Sequence, residues 1–395
     1  MLRFISLLRG FPMLGKASDN RVNSGQAKMP IAVLGAGCAA LSLAARSDAF
    51  PSHQFTIIDP ETHVSDDHIW GFWAMPWLDH VTSVTRKKWH KWRIISPDLM
   101  LDLSSTTHPY CALSRHEWLT HCRQRAKDAG VSTVHSLDHL NPAQILDSRP
   151  PKSPPGALLQ HFLGYEITSN HDLFNPNTAI LMDFRCDQSR GVHFIYYLPF
   201  TQRRALVEST LFSPSLAPED FYDKAIKDYL ANHLNCTHYT IKRRERGVIP
   251  MARLQQRESH LTGIGANGGA IRPSSGYAFS FIQKQIDQIS NSAKPGKLLQ
   301  VKNPHSHFEL MMDNIFLKVI RRQPTLAPII FTSLARHLNG DEFSCFLSGE
   351  ATMKIWLKVV FSMPKWPFLL SLLPQITKKY RDNQKTSDQN LGQHK

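Results

Sequence analysis

The stretch from Met29 to Asp59 constrains this chain more than any other. The apolar run Ile31-Ala32-Val33-Leu34 passes into Gly35-Ala36-Gly37-Cys38-Ala39-Ala40, and helix-forming residues follow through Ala45. A second apolar run, Phe55-Thr56-Ile57-Ile58, ends at Asp59, about 20 residues beyond the glycines. Strand, tight turn, helix, strand and acid together read as the βαβ unit of a dinucleotide-binding fold. Gly35 permits the turn, Gly37 lets a pyrophosphate approach the backbone, and the small Ala40 permits close packing of helix on strand. Asp59 stands where such a fold sets an acid on a ribose. A tight turn in some other α/β domain is the competing reading, and the whole context weighs against it.

At about 150 residues per domain, a chain of 395 residues has room for two or three units, or for one domain with insertions. Its 42% apolar content and 25 scattered prolines exclude collagen, coiled coil and wholesale disorder. The net charge of +14 suits nucleic acid, an anionic membrane or a phosphorylated cofactor. Its placement narrows the choice. Residues 354–395 hold eight basic residues against Asp382 and Asp388, beside the apolar run Trp366 to Leu373, which fits a membrane surface better than a DNA groove. No stretch reaches the roughly 20 uncharged apolar residues of a spanning helix, so no transmembrane span is expected. Six cysteines (Cys38, Cys111, Cys122, Cys186, Cys236, Cys345) without a CxxC pair read as buried thiols in a reducing cytosol, with neither a zinc site nor a disulfide framework. Residues 1–28 read as a disordered leader.

Beyond Asp59, the group His63, Asp66, Asp67 and His68 fits no standard metal spacing and reads as a solvated loop. Trp70, Phe72, Trp73 and Trp77 follow, a density of aromatics that suits an apolar pocket wall or the core. Arg86 to Arg93 interleaves basic and aromatic residues as a single-strand nucleic-acid platform would, but its strand-like continuation favours a solvated strand edge or a membrane-facing rim. Prolines at 150, 151, 154 and 155 mark a break. Three strand-like runs come next, Ala179 to Cys186, Val192 to Leu198 and Ala205 to Phe212, and predict an antiparallel sheet.

On the third of these strands Leu206, Glu208, Thr210 and Phe212 share one face. A carboxyl held on an apolar face keeps its proton toward neutral pH and can act as an acid, the alternative being an exposed acid on a solvent face. Farther on, four glycines between Gly263 and Gly269 free the backbone to approach a ligand, and a helix is predicted from Gly276 toward Ile289 whose N-terminus suits a phosphate or flavin ring. From about residue 304 the pattern is helical.

Jointly these motifs resemble one family, the bacterial flavin-dependent lycopene cyclases that make β-rings in carotenoid biosynthesis. The likeness rests on Gly35 to Gly37 with Asp59, His68 to Trp73, Ile145 to Arg149, Met182-Asp183 with Asp187-Gln188, Leu206 to Thr210, Gly263 to Tyr277 and Phe346 to Gly349, in that order along the chain. There are two departures. Asp147-Ser148-Arg149-Pro150 stands where the family often has Asp-Gly-Arg-Gly, and Ser209 replaces the second of two paired acids, leaving Glu208 the only carboxylate of that motif.

The resemblance implies a Rossmann-like FAD-binding domain (29–175 and 240–300), an inserted antiparallel β-sheet substrate domain (176–239), a helical substrate- and membrane-facing region (301–375) and a basic tail (376–395). It implies an isomerase that cyclises lycopene ends without net redox change, with Glu208 as the acid and reduced FAD, NADPH being its electron source. Gly35, Gly37, Ala40, Asp59, Asp147, Gly265, Gly268, Gly269 and Gly276 are the implied cofactor-binding residues, and Trp70, Phe72, Trp73, Tyr196 and Tyr197 the implied substrate pocket. The base is left between the returned Glu208 carboxylate and the flavin. Lycopene is dissolved in the bilayer, so peripheral membrane docking is expected, with no nucleic acid and no metal. Two rivals stay open: a flavin monooxygenase or isoprenoid reductase of similar architecture, and a basic membrane- or nucleic-acid-binding protein with a vestigial cofactor fold.

Overall fold

The computed structural model describes residues 27–60 and 67–372. The expected leader up to residue 26, His63, Asp66 and the basic tail lie outside the described residues. Strands β1 (Met29–Leu34) and β2 (His53–Ile58) pair in parallel and are joined by helix α1 (Cys38–Ala44). With β8 (Ser132–Val134), β9 (Gln144–Asp147) and β15 (Thr262–Gly263) they form a parallel sheet in the order β15-β9-β1-β2-β8. Ile31, Ala32 and Val33 are all buried, as a strand covered on both faces requires. α1 lays Ala39, Ala40 and Leu43 into the same core as Phe55, Leu146 and Ile286.

A second, three-stranded sheet places β7 (Tyr110–Ser114) between β3 (Ile69–Trp73) and β4 (Lys87–Trp89). The short helix α2 (Asp79–Thr82) lies between β3 and β4 in sequence, and α3 (Arg115–Asp128) starts where the Ser114 side chain accepts the Glu117 N–H. The basic-aromatic stretch Arg86 to Arg93 divides by face. Trp89 and Trp92 are fully buried, Trp89 donating to the Pro199 carbonyl at 3.2 Å, while Lys88 and Lys91 face out.

The largest sheet has seven strands. β5 (Lys91–Ile95), β6 (Met100–Ser104), β10 (Leu158–Ser169), β11 (Thr178–Asp183), β12 (Val192–Pro199), β13 (Arg204–Ser213) and β14 (Tyr239–Met251) run in the order β14-β10-β13-β12-β11-β5-β6, antiparallel except for β11 with β5. It is wider than the segment 176–239 expected from sequence. The reason is pairing: β13 takes β10 as a neighbour, β10 takes β14, and β11 takes β5 from the N-terminal part of the chain.

Helix α4 (Glu219–Leu234) covers one face of this sheet, burying Ile226, Tyr229 and Leu230 against Val207, Leu211 and Tyr165. The other face turns toward α5 (Phe279–Ser292), α6 (His307–Arg322), α7 (Ala327–His337), α8 (Gly340–Leu347), α9 (Met353–Ser362) and α10 (Lys365–Leu372). Capping boxes start α6 (Ser306 with Glu309) and α8 (Asn339 with Glu342). Among the described residues no helix is long and apolar enough to cross a membrane.

Candidate active site

Between the α5–α10 side of the large sheet and the helices lies a cavity of about 1030 Å³, open to the surface and walled mostly by apolar side chains. It runs from Cys38 and Arg115 at the α1 end, past Glu208 on β13, to Phe361 and Leu369 on α9 and α10. Cys38, the residue that follows the dinucleotide turn, and the carboxyl therefore border one space.

Glu208 is 8% exposed and stands between Leu206 and Thr210 on the cavity face, excluding the solvent-face alternative. The Thr210 hydroxyl donates to its Oε1 at 2.6 Å. Burial, with the Glu245 carboxyl nearby, pushes Glu208 up to about 8, against the smaller opposing effect of the Thr210 hydrogen bond. Directly opposite on β12 is Tyr196, whose hydroxyl lies 2.8 Å from that of Tyr110. Gly71 makes room for this pair: a Cβ there would lie 2.0 Å from the Tyr110 oxygen and 2.6 Å from the Tyr196 oxygen. Tyr277 completes the cluster, and burial pushes all three phenols above their ordinary range.

Of the five aromatics expected in the pocket, Trp70, Trp73 and Tyr196 line the cavity. Tyr197 does not. Successive residues of a strand point to opposite faces, so Tyr197 turns to the α4 side, where its ring meets Tyr229 at 6.4 Å and Phe174 at 6.1 Å. Phe72 is also off the cavity wall; it is buried against Phe279, at 5.1 Å between ring centres, and Phe279 in turn stacks on Trp70.

The positions expected to hold the cofactor fall into two groups. Gly35 adopts the left-handed conformation (φ +89°), and Gly37 caps α1 with open space beside it, since an added Cβ would meet nothing within 4 Å. Ala40 is buried on the strand side of α1, and Asp59 ends β2 with its N–H on the Val134 carbonyl. Gly276 lines the cavity beside Ser275 and Tyr277. The others make close contacts within the fold. The Asp147 carboxylate is fully buried and clamped by Arg149 through Nε at 2.8 Å and Nη2 at 2.9 Å. Gly265 fits against Ala39 of α1, Gly268 against the Gly263 carbonyl and Gly269 against Asn303, contacts that leave no room for a Cβ.

Several residues of this site escaped the sequence reading. Glu245, 3% exposed, comes from a strand whose Lys242-Arg243-Arg244-Glu245-Arg246 looks solvated. Tyr110 and Phe279 stood in no motif. Period-two alternation through Glu245, Gly247 and Ile249 was the one signal that set Glu245 on an inner face.

The family model described as "Lycopene cyclase protein" matches residues 30–144 and 138–373. The lycopene beta-cyclase of Pantoea ananas is 24% identical over 384 residues, covering 86% of this chain and 96% of that protein. The chloroplastic/chromoplastic lycopene beta cyclase of Narcissus pseudonarcissus is 34% identical over 133 residues, covering 30% of this chain and 26% of that one. Among solved structures, a geranylgeranyl bacteriochlorophyll reductase-like protein from Thermoplasma acidophilum superposes with a TM-score of 0.53 at 12% identity, over 91% of this chain and 100% of that one. A flavin-dependent brominase gives 0.52 at 12% identity, over 84% and 96%. The Rossmann-like architecture of FAD-dependent enzymes is thus the fold of this chain.

Proposed function

Given that the chain belongs to the lycopene cyclase family and so acts as a lycopene cyclase, we propose that Glu208 is the acid that starts ring closure and that the product is a β-ionone ring. One observation carries the reading: a buried carboxyl, held well above the usual carboxylate range, faces an apolar cavity. Glu208 delivers its proton to the terminal double bond of lycopene. The tertiary cation is attacked by a neighbouring double bond of the same chain, and loss of a ring proton closes the sequence. One proton enters and one leaves, so the substrate is isomerised without net redox change. Trp70, Trp73, Tyr196 and Phe279 line the cavity, and aromatic walls suit a transient cation.

The residues present fit a bound FAD. The Gly35-Ala36-Gly37 turn leaves open space at Gly37, where a Cβ would project, and Cys38 and Arg115 border the same cavity as Glu208. Bound there in its reduced form, with NADPH as electron source, FAD would supply negative charge near the developing cation. Gly35, Gly37 and Asp59 would hold its dinucleotide part, and Gly276 its ring end.

Lycopene reaches the enzyme from a bilayer. Supporting a peripheral docking face, the exposed side chains Phe361, Lys365 and Leu369 of α9 and α10 border the cavity, and Met353, Trp366 and Leu370 are exposed on the same two helices. Replacing Phe361 and Trp366 together by Ser is expected to reduce sedimentation with anionic vesicles severalfold; unchanged binding would remove this face from the reading.

The function is tested by expression in bacteria that accumulate lycopene, followed by pigment chromatography. Wild type is expected to convert lycopene to γ- or β-carotene, and the purified enzyme to turn over without NADPH consumption in proportion to product. Stoichiometric NADPH use would instead favour a reductase or monooxygenase.

A further inference from the structure

The row of paired residues that carries Glu208 continues past it. Tyr196, Glu208, Gly164 and Glu245 stand opposite one another on β12, β13, β10 and β14, so the four positions share one face of the sheet. Gly164 has no side chain, and Glu245 occupies the space above it: a Cβ at 164 would lie 3.0 Å from Glu245 Cγ and 3.4 Å from its Oε1. Two buried glutamates thus face each other across a glycine. Glu208 is part of the cavity wall, whereas Glu245 lies behind it.

Their other partners differ. Glu245 Oε2 accepts the Ile69 N–H at 3.1 Å and lies 3.0 Å from Arg243 Nη1. Arg243 also reaches Asp67 at 3.4 Å and Glu166 at 3.2 Å, and Glu166 is held in addition by Arg86 and Arg204. In this network three guanidiniums balance three carboxylates when Glu245 is ionised. The Glu208 carboxyl, in contrast, accepts from the Thr210 hydroxyl, Tyr196 stands opposite it on β12, and Tyr277 is near enough to feel its charge.

We infer that Glu245 is a positioning residue for the acid: its negative charge, one strand removed and held by Arg243, keeps the proton on Glu208 and so sets the upper pH limit of the reaction. Two buried carboxyls facing one another do not both ionise readily; burial pushes Glu245 up too, to about 7, but Arg243 and the Ile69 N–H pull against it, so Glu245 ionises first. Gly164 is the gap that lets one charge be felt by the other. The inference rests on the reading of Glu208 as the acid.

The test is the pH profile of kcat/KM for the holoenzyme acting on lycopene in phospholipid vesicles, comparing wild type with Glu245→Gln. Glutamine keeps the shape and still accepts the Ile69 N–H. Because Glu208 must be protonated to act, activity falls as pH rises through its pKa. Removing the neighbouring charge is therefore expected to move the alkaline limb about one pH unit toward acid, with the low-pH plateau within a few-fold of wild type. Glu245→Asp keeps the charge and the limb. Gly164→Ala pushes Glu245 aside and moves the limb the same way by less, and it carries the test should the glutamine variant fold poorly.

A limb that stays in place in both Glu245→Gln and Gly164→Ala overturns the inference, as does loss of activity at every pH with no displacement. An infrared titration of the Glu208 carboxyl, with and without the Glu245 charge, reads the same shift without turnover. Glu208→Gln separates the two ideas. Residual cyclisation by that variant sinks the acid assignment itself, whereas an inactive Glu208→Gln beside an unmoved limb sinks only the role of Glu245.

Discussion

Glu166 and Glu208 lie on adjacent strands of one sheet, share a face and are both nearly sealed from water, yet they are driven in opposite directions. Burial pushes each of them up. On Glu166, Arg86, Arg204 and Arg243 outweigh burial and hold the carboxyl down to about 2. On Glu208, burial and the Glu245 charge prevail over the single Thr210 hydroxyl, and the carboxyl rises to about 8. Burial sets the cost of a charge in both places, and the partners decide whether the charge exists. One glutamate ties strands together through cations; the other is kept as a proton reservoir facing an apolar cavity.

The comparison breaks most visibly at Glu208. Glu208→Gln is expected to lower cyclisation by about 10³-fold, the scale of a lost general acid, with the pigment profile of lycopene-accumulating cells as readout. The same variant should be no less stable than wild type. The folded-state pKa of Glu208 lies above its unfolded value of 4.5, so its contribution to stability is fully present below 4.5 and is lost as pH rises through about 8. Urea titrations across that window should show the glutamine variant gaining on wild type as pH rises, by at most ~1.4 kcal/mol per pH unit, and then levelling off. A variant that instead loses stability at pH 8 would place a cation on Glu208.

Glu166→Gln should do the reverse. Cyclisation chemistry is untouched, but the buried partner of three guanidiniums loses its charge, and stability at pH 7 is expected to fall by about 2 kcal/mol, tempered because Arg204 is half exposed. For this depressed group the stability is present above 4.5 and lost as pH falls toward about 2, so wild type and variant should converge in acid. Parallel denaturation curves at pH 7 and pH 3 check it, and equal midpoints at pH 7 would count against the network.

Much of this contrast was legible in the sequence, and the limits have physical causes. The first βαβ unit could be read because its strands are buried on both faces and its turn needs glycine where φ is positive; both constraints act locally. Glu208 could be placed on the inner face because alternation along a single strand is local as well. Glu245 could not, since its burial depends on β14 pairing with β10, about eighty residues earlier in the chain. The same long-range pairing hid the full width of the sheet. Asp147 stands where a cofactor ligand is expected, and a contact the sequence did not announce is that Arg149, two residues away, meets both oxygens of its carboxylate. The glycines at 265, 268 and 269 are packed closely against α1, the loop itself and Asn303, partners that only the folded chain reveals.

The smallest effect tests the faces of the sheet with two adjacent tyrosines. Tyr196 lies on the Glu208 side with its hydroxyl against Tyr110, while the Tyr197 hydroxyl is buried on the α4 side without a partner among the described residues. Tyr196→Phe removes a hydrogen bond beside the acid and should slow cyclisation a few-fold. Tyr197→Phe removes an unsatisfied buried hydroxyl, so activity should hold while stability rises by about 1 kcal/mol. Turnover and thermal midpoints of the two variants, measured side by side, check both statements. If Tyr197→Phe slows the reaction and Tyr196→Phe does not, strand β12 is shifted by one residue, and because a one-residue slip turns every side chain to the other face, the pairing of Tyr196 with Glu208 falls with it.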